Sequence, residues 1–346
     1  DVDDWPAPRG LFDDDDDDAD GKKKKSEDDE EERRCRNEWQ FLLGLIAEEE
    51  ERAAVSRYAK FEDRKRALIS RLMVRRCCAV ALDLEHDEIA IDRTKGKKPF
   101  LTLSSRRKES DDKTRECPNF NFNVSHEGRF VVLASEPRCV VGVDVAAPDQ
   151  FRRRGTPAEK KPLDLERFFS TMRGVLADSE WSQVKAAPDQ AKQFRYFWSC
   201  KEAFTKARGD GVAFGLARAE FTISPQKRGF FEAQVAVDGV DLPQWRFHGQ
   251  ELDHGHVVTV ARGPPSDVVD AVGDFKKTFS SGNLHKTDFV DGQPQPDFQK
   301  ITVRDLVPPD RREAYDRAVD DDLRRYSSSQ PPRNAANDDG KLNPRA

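Results

Sequence analysis

Apolar positions recur at helical spacing in two separate parts of the chain, and short strand-like stretches follow each part. In the first part, helical spacing covers 39–46 and 61–80, and strand patterns follow at 88–92, 120–124, 130–134 and 140–145. In the second part, helical spacing covers 163–172, 178–185 and 191–208, and strand patterns follow at 219–224, 231–237, 245–250 and 256–260. Helices followed by strands, twice over, predict an α+β fold with two similar helix-plus-antiparallel-sheet halves.

Charge sets the beginning of the chain apart from the rest. Residues 1–38 carry 17 acidic and 8 basic side chains, a net charge of −9, whereas the whole chain of 346 residues carries −6. Blocks of like charge repel one another and bury little apolar area, so we expect 1–38 to be an unfolded acidic tail. We expect a first half over 39–147, a second half over 148–262, and a polar, largely irregular extension over 263–346.

Two classes of protein do not fit the composition. No stretch approaches 18 consecutive apolar residues, which argues against a membrane-spanning helix, and the beginning of the sequence lacks the pattern of a secretory signal. The six cysteines show no CxxC or zinc-type spacing, which is typical of free thiols in a reducing compartment. We therefore expect a cytoplasmic protein without a membrane partner. We also expect a monomer that does not bind nucleic acid.

Four short segments combine polar groups with apolar neighbours: 93–99, 121–128, 141–145 and 197–206. Asp144 lies within an apolar strand, where a carboxylate needs a metal, a cation or several hydrogen-bond donors. The four cations around Gly96 suit phosphate binding. Each segment alone also fits an ordinary role, because Ser125-His126 could close a simple turn and Glu202-Lys206 could be a surface pair on a helix.

Taken in order and at these separations, the segments resemble the motifs of the 4′-phosphopantetheinyl transferase superfamily. The resemblance is greatest to its larger Sfp-like subclass and to eukaryotic members of the aminoadipate pathway. It covers about 39–260, with a weaker similarity at 298–306, and rests on these matching pieces: 71–73, 93–94, 118–128, 131–137, 141–145, 168–169, 180–181 and 197–206, with Gly209 and Gly211.

The resemblance implies a fold of two halves related by a pseudo-two-fold axis. It also implies a group-transfer reaction. In that reaction the phosphopantetheine arm of coenzyme A moves to a serine of an apo carrier protein, and 3′,5′-adenosine bisphosphate leaves. By resemblance, Asp144 and Glu202 are the ligands of Mg²⁺, Glu202 also matches the base, and Lys206 matches a catalytic lysine at the pyrophosphate. The residues matching coenzyme A contacts are Arg52 (or Arg57 in its place), Arg93, Thr94, Lys95, Gly96, Lys97, Lys98, Asn123, Ser125, His126 and Lys206.

Three positions depart from the family pattern. Ala146 stands where bacterial relatives have an acid, Gly96 lies one place earlier than the glycine of the usual Gly-Lys-Pro, and the acidic stretch occupies the place of the first β-strand. Because Ala146 cannot bind a metal, we consider Glu127 as a third metal ligand, against the alternative that it is a solvated turn residue.

The resemblance implies apo acyl carrier protein or the carrier domains of fatty-acid, polyketide or aminoadipate-reductase enzymes as partners. Two other classes of function remain open from the sequence. One is a module that binds coenzyme A or a carrier protein without turnover, and the other is an interaction protein that acts through residues 1–38.

Overall fold

The computed structural model describes residues 25–105, 116–148, 150, 164–280 and 298–319. The described residues divide into two compact units, a larger one that contains those within 45–308 and a smaller one that contains 25–44 and 309–319. In the part of the chain that is described, no helix has both the length and the apolar character needed to cross a membrane.

The helices of the described residues are α1 (Lys25–Gly44), α2 (Glu49–Ser56), α3 (Phe61–Leu82), α4 (Leu165–Thr171), α5 (Asp178–Ala186), α6 (Gln190–Arg208), α7 (Val303–Leu306) and α8 (Arg312–Val319). The strands are β1 (Ile91–Arg93), β2 (Pro99–Leu101), β3 (Asn121–Glu127), β4 (Phe130–Glu136), β5 (Val140–Ala146), β6 (Ala219–Pro225), β7 (Phe230–Val237), β8 (Val240–Asp241), β9 (Arg246–Leu252) and β10 (His256–Gly263). These elements confirm the α+β class.

The larger unit is built on an antiparallel sheet in the order β5-β10-β9-β7-β6, with β8 paired to β7. Helix α6 packs on this sheet and buries Phe194, Phe197 and Phe204 against Trp245 and other apolar side chains. The helix approaches closely because Gly142 of β5 has no side chain. A Cβ at Gly142 would lie 2.1 Å from the Ala203 carbonyl oxygen.

The remaining strands form two hairpins, β1–β2 and β3–β4. Helix α3 contacts the β3–β4 hairpin, and its Cys78 and Leu82 belong to one apolar cluster with Phe120 and Phe122. Helix α3 and parts of both hairpins thus share an apolar cluster of their own, while Phe100 of β2 belongs to the core beneath α6.

Side chains of β3 join its hairpin to the edge of the large sheet. Strand β5 is the edge strand, and its Val141, Val143 and Val145 N–H groups donate to Asn121 Oδ1, Asn123 Oδ1 and Ser125 Oγ at 2.9, 2.8 and 3.3 Å. We call these three β3 residues the polar ladder. A buried edge N–H needs an acceptor, so the ladder replaces the missing strand.

The smaller unit corrects our expectation for residues 1–38. Residues 25–38 are the first part of α1, which begins well before the predicted position near Trp39, and residues 1–24 lie outside the described residues. Helix α1 packs against α8, where the Tyr315 hydroxyl donates to Glu38 and the Tyr315 ring lies 5.6 Å from that of Phe41. The charge runs alone did not predict this part of the helix, because the partners of Glu38 and Phe41 lie on α8, more than 270 residues away in sequence.

Two further boundaries differ from those expected. Strand β5 lies in the expected first half, yet it pairs with β10 of the second half. The expected irregular extension contains α7 and α8, and its Phe275 and Phe279 are buried in the core beneath α6. The described strands show no second copy of the large sheet, so the pseudo-two-fold stays a prediction.

Candidate active site

A cavity of about 890 Å³ opens in the larger unit, between the α2–α3 region and the C-terminal half of α6. Its basic lining residues are Arg71, Arg75, Arg93, Lys97, Lys98, His126 and Lys206. Apolar side chains cover another part of its wall: Val74, Ile91, Trp198, Phe214 and Leu216. Cations beside an apolar wall suit a ligand that carries phosphates at one part and an uncharged chain at another.

Asp144 lies beside this cavity at the centre of a charged cluster. Its Oδ1 accepts from Lys206 Nζ at 2.5 Å and from Ser125 Oγ at 3.1 Å, and Lys206 Nζ also lies 2.9 Å from Ser125 Oγ. Asp144 is 4% exposed, and its buried Oδ2 has no hydrogen-bond partner among the described residues. The three residues that the sequence singled out from separate segments therefore meet at one carboxylate.

Glu202 faces the same cluster from α6. Burial raises the pKa of Glu202, the negative charge of Asp144 raises it further, and Lys206 opposes the shift. Two carboxylates that repel each other, one with an unpaired buried oxygen, form the hard-oxygen donor set that a divalent cation prefers. Lys206 lies one turn after Glu202 on the helix, so α6 presents both charges to β5.

His126 lines the cavity from the end of β3. Burial lowers the pKa of His126, and the nearby charges of Arg66 and Lys206 lower it further. The ring is therefore neutral at pH 7, and one ring nitrogen is a donor.

The loop that joins β1 to β2 was expected to contact coenzyme A throughout, but its residues divide between the cavity and the protein interior. Arg93 and Lys97 line the cavity. Thr94 is buried, and its Oγ1 accepts from the Lys98 backbone N–H at 3.1 Å, which closes the turn. Lys95 is exposed and lies outside the cavity lining.

The backbone at Gly96 and Lys97 explains why the glycine of this loop lies one place earlier than in the family pattern. A Cβ at Gly96 would lie 2.3 Å from the Gly209 carbonyl oxygen, so this position needs glycine for its close approach to the end of α6. The next residue, Lys97, has φ of +70°, the conformation that glycine adopts most readily. Position 96 therefore needs glycine for its packing against the end of α6, and Lys97 adopts the positive φ that glycine would adopt more readily.

Lys98 is a buried residue of the loop, although it also forms part of the cavity wall. Its Nζ donates to the Val141 carbonyl at 2.7 Å and to the Lys206 carbonyl at 3.1 Å. Burial lowers the pKa of Lys98 to about 7. The expected phosphate ligand therefore ties the loop to β5 and to the end of α6.

Three other expected site residues have different roles from those implied by the resemblance. Arg52 does not line the cavity, and its guanidinium donates to the Ile46 and Ala47 carbonyls at 2.6 and 2.7 Å. Asn123 lines the cavity wall, but its Oδ1 belongs to the polar ladder. Among the described residues no three His, Cys, Asp or Glu side chains form a metal-binding group, and Glu127 as a third metal ligand stays a prediction.

Two features of the site lie outside the expected set of residues. Arg71 and Arg75 of α3 line the cavity and pair with Glu51 of α2 and with Glu48, which directly precedes α2. Their spacing of four on a predicted helix was the available signal.

The second feature is a buried ion pair next to Glu202 in the sequence of α6. Lys201 precedes Glu202, and its Nζ lies 2.7 Å from Glu180 Oε2, with both side chains fully buried. Glu180 also accepts from the Ala177 and Phe221 N–H groups at 2.7 and 2.8 Å, which fixes α5 and β6 against α6. Glu180 thus has a structural role in holding these elements together.

Comparison with known proteins matches almost the whole site-bearing region. A family model described as 4′-phosphopantetheinyl transferase, N-terminal, matches 33–138, and the model of the 4′-phosphopantetheinyl transferase superfamily matches 140–261. The L-aminoadipate-semialdehyde dehydrogenase-phosphopantetheinyl transferase of Rattus norvegicus is 33% identical over 235 residues, 66% of this chain and 70% of the relative. That of Homo sapiens is 32% identical over 237 residues, 66% of this chain and 71% of the relative.

A third relative comes from a different lineage. The phosphopantetheinyl transferase of Thraustochytrium sp. is 37% identical over 228 residues, 63% of this chain and 70% of the relative. The two family models together match most of the chain, and the relatives match about two thirds of it. Both family matches include residues of the charged cluster. The chain belongs to the 4′-phosphopantetheinyl transferase superfamily.

Proposed function

We propose that the cavity binds coenzyme A and that Asp144, Glu202 and Lys206 transfer its phosphopantetheine arm to a serine of an apo carrier protein. The observation that carries the proposal is the meeting of these three side chains at one edge of a basic cavity. Coenzyme A carries a diphosphate, a 3′-phosphate and an uncharged arm, so its chemistry matches a wall that is basic in one part and apolar in another.

The two carboxylates fit a divalent cation, and we propose Mg²⁺. Asp144 has a buried oxygen without a described partner, and the pKa of Glu202 is raised partly by the charge of Asp144. A cation held by Asp144 and Glu202 would relieve this repulsion. When bound, Mg²⁺ supplies neutralisation of the charge that develops on the transferred phosphoryl group.

The side chains of the site can divide the remaining chemistry between them. The serine oxygen forms a bond to the β-phosphorus, and the bond from that phosphorus to the leaving oxygen of 3′,5′-adenosine bisphosphate breaks. Glu202 accepts the serine proton, because its carboxylate lines the cavity one helical turn from Lys206. The Lys206 ammonium offsets negative charge on the diphosphate, and neutral His126 donates a hydrogen bond to a phosphate oxygen.

The relatives' names point to one class of partner. Several are named as transferases of L-aminoadipate-semialdehyde dehydrogenase, and we propose a carrier domain of an aminoadipate-reducing enzyme as a substrate of this chain. The six cysteines form no disulfide in the described part of the chain, and we propose the reducing cytoplasm as the place of action.

The test is incubation of the full chain with coenzyme A, Mg²⁺ and an apo carrier domain, followed by intact mass measurement of the carrier. We expect the mass of one phosphopantetheine to be added, and we expect Asp144→Asn and Glu202→Gln to lower kcat by at least about 100-fold. Asp241→Asn, which changes an exposed acid of β8, is the matched control.

Two results would contradict the proposal in different ways. Binding of coenzyme A without any mass gain would favour a binding module without turnover. A mass gain at an unchanged rate in both carboxylate variants would place the chemistry elsewhere in the molecule.

A further inference from the structure

Two arginines of the cavity wall are held by carboxylates at the start of α2. Arg71 Nε lies 2.5 Å from Glu51 Oε2, and Arg75 Nη2 pairs with Glu48 Oε2. All four side chains line the cavity. Part of the positive charge expected to attract phosphates is therefore already matched by acids of the same wall.

The Arg71–Glu51 and Arg75–Glu48 ion pairs differ in how readily they can break. The Arg75 side chain is 5% exposed, and its Nη1 also donates to the Ile89 carbonyl at 2.8 Å, so its position is fixed on two sides. The Arg71 side chain is 18% exposed, and its Glu51 partner is 37% exposed. Arg71 Nη1 donates to the Ala67 carbonyl of its own helix, while Nη2 makes no hydrogen bond with a described residue. Arg71 therefore has a spare donor and a partner that can turn into solvent.

We propose that Arg71 binds a phosphate of the ligand and that Glu51 is its counter-ion in the free protein. Glu51 then competes with the ligand, because a phosphate must displace the carboxylate or accept a guanidinium whose charge is already offset. Arg75 and Glu48 keep the wall in place and do not exchange. The inference rests on the proposed function, because it takes coenzyme A as the ligand.

Helix α2 supplies a matched pair of variants. Glu50 precedes Glu51 in the first turn, is exposed and does not line the cavity. Glu50→Gln and Glu51→Gln remove the same charge from the same helix end, so both lose the same favourable interaction with the helix dipole. Only Glu51→Gln releases Arg71.

The test is the affinity of the full chain for coenzyme A, measured by calorimetry at low ionic strength without a carrier. We expect Glu51→Gln to bind on the order of fivefold more tightly than the unmodified chain, and Glu50→Gln to bind as the unmodified chain does. Arg71→Met should bind more weakly, and the Arg71→Met, Glu51→Gln double variant should lose the gain. Melting temperatures of the four variants show whether each is folded.

The outcomes separate this inference from the proposed function. If the unmodified chain binds coenzyme A and modifies the carrier, but Glu51→Gln matches Glu50→Gln, the counter-ion role is wrong and the transferase site stands. A gain that survives in the double variant would likewise overturn the role of Arg71. If the unmodified chain does not bind coenzyme A at all, the proposed function itself fails.

Discussion

Lys98 belongs to a sequence motif that indicates phosphate binding, yet its side chain has a structural role. In the sequence it is one of four cations around a glycine, which indicates a phosphate-binding loop. In the structure its ammonium is buried against two backbone carbonyls, and burial lowers its pKa to about 7. The cation therefore fixes the loop at a cost in desolvation.

This lowered pKa predicts a pH-dependent stability. Between pH 7 and 10.5 the unfolded chain holds a proton on Lys98 that the folded chain lacks, so stability rises with pH across that window. Below pH 7 both states are protonated, and Lys98 adds no pH dependence. We expect the unmodified chain to gain about 2 kcal/mol relative to Lys98→Met from pH 7.5 to 9.5, in denaturant unfolding.

Lys185→Met, which changes an exposed lysine of α5, is the control and should track the unmodified chain. A constant difference between the unmodified chain and Lys98→Met across this pH range would show that Lys98 stays protonated in the folded state.

At the scale of elements, the polar ladder connects folding to the site. It fixes the edge strand β5, which carries Asp144 between Val143 and Val145. Loss of one ladder acceptor leaves a buried N–H unpaired, at a cost of about 1–3 kcal/mol. The ladder residues therefore act on the site through the position of β5.

Two ladder variants separate stability from site geometry. Asn121 lies farther from Asp144 and also donates to the Asn119 and Cys139 carbonyls, so Asn121→Ala should destabilise the fold at least as much as Asn123→Ala. We expect only Asn123→Ala to raise the Mg²⁺ concentration needed for half-maximal transfer, by several-fold. Unfolding curves and Mg²⁺ titrations of both variants measure the two effects. Equal shifts of the Mg²⁺ curve would show that the ladder has only a structural role.

The sequence predicted the elements near the site better than their connections. The pattern over 191–208 agrees with α6 to within one residue, and the apolar run around Asp144 agrees with β5. The pairing of β5 with β10 was not predictable, because the paired residues lie more than 110 positions apart and no local pattern encodes their register. Arg71 was missed as a site residue for a similar reason, since its partner Glu51 lies on another helix.

At the scale of the whole molecule, α1 and α8 belong to one unit although they are far apart in sequence. Residues 1–24 carry 10 acidic and 4 basic side chains, so the chain from Lys25 onward has no net charge. The remaining acidic residues up to Glu38 belong to α1, whose contacts with α8 are part of the fold. The charged segment thus divides into a part outside the described residues and a part with a structural role.

Two truncations test this division. Removal of 1–24 takes away a net charge of −6 and leaves all of α1, so the melting temperature should be unchanged. Because carrier domains are usually acidic, the KM for the carrier should fall at low salt and the difference should shrink as salt rises.

Removal of 1–38 deletes Cys35 and Glu38 as well, and with them the bond from the Tyr315 hydroxyl. We expect this chain to melt several degrees lower than the shorter truncation, because a buried thiol and a buried hydrogen bond are lost together. Tyr315→Phe in the full chain removes the same bond alone and should produce a smaller decrease. Equal melting temperatures for both truncations would show that residues 25–38 contribute nothing to the fold, and the acidic segment would then be a tail along its whole length.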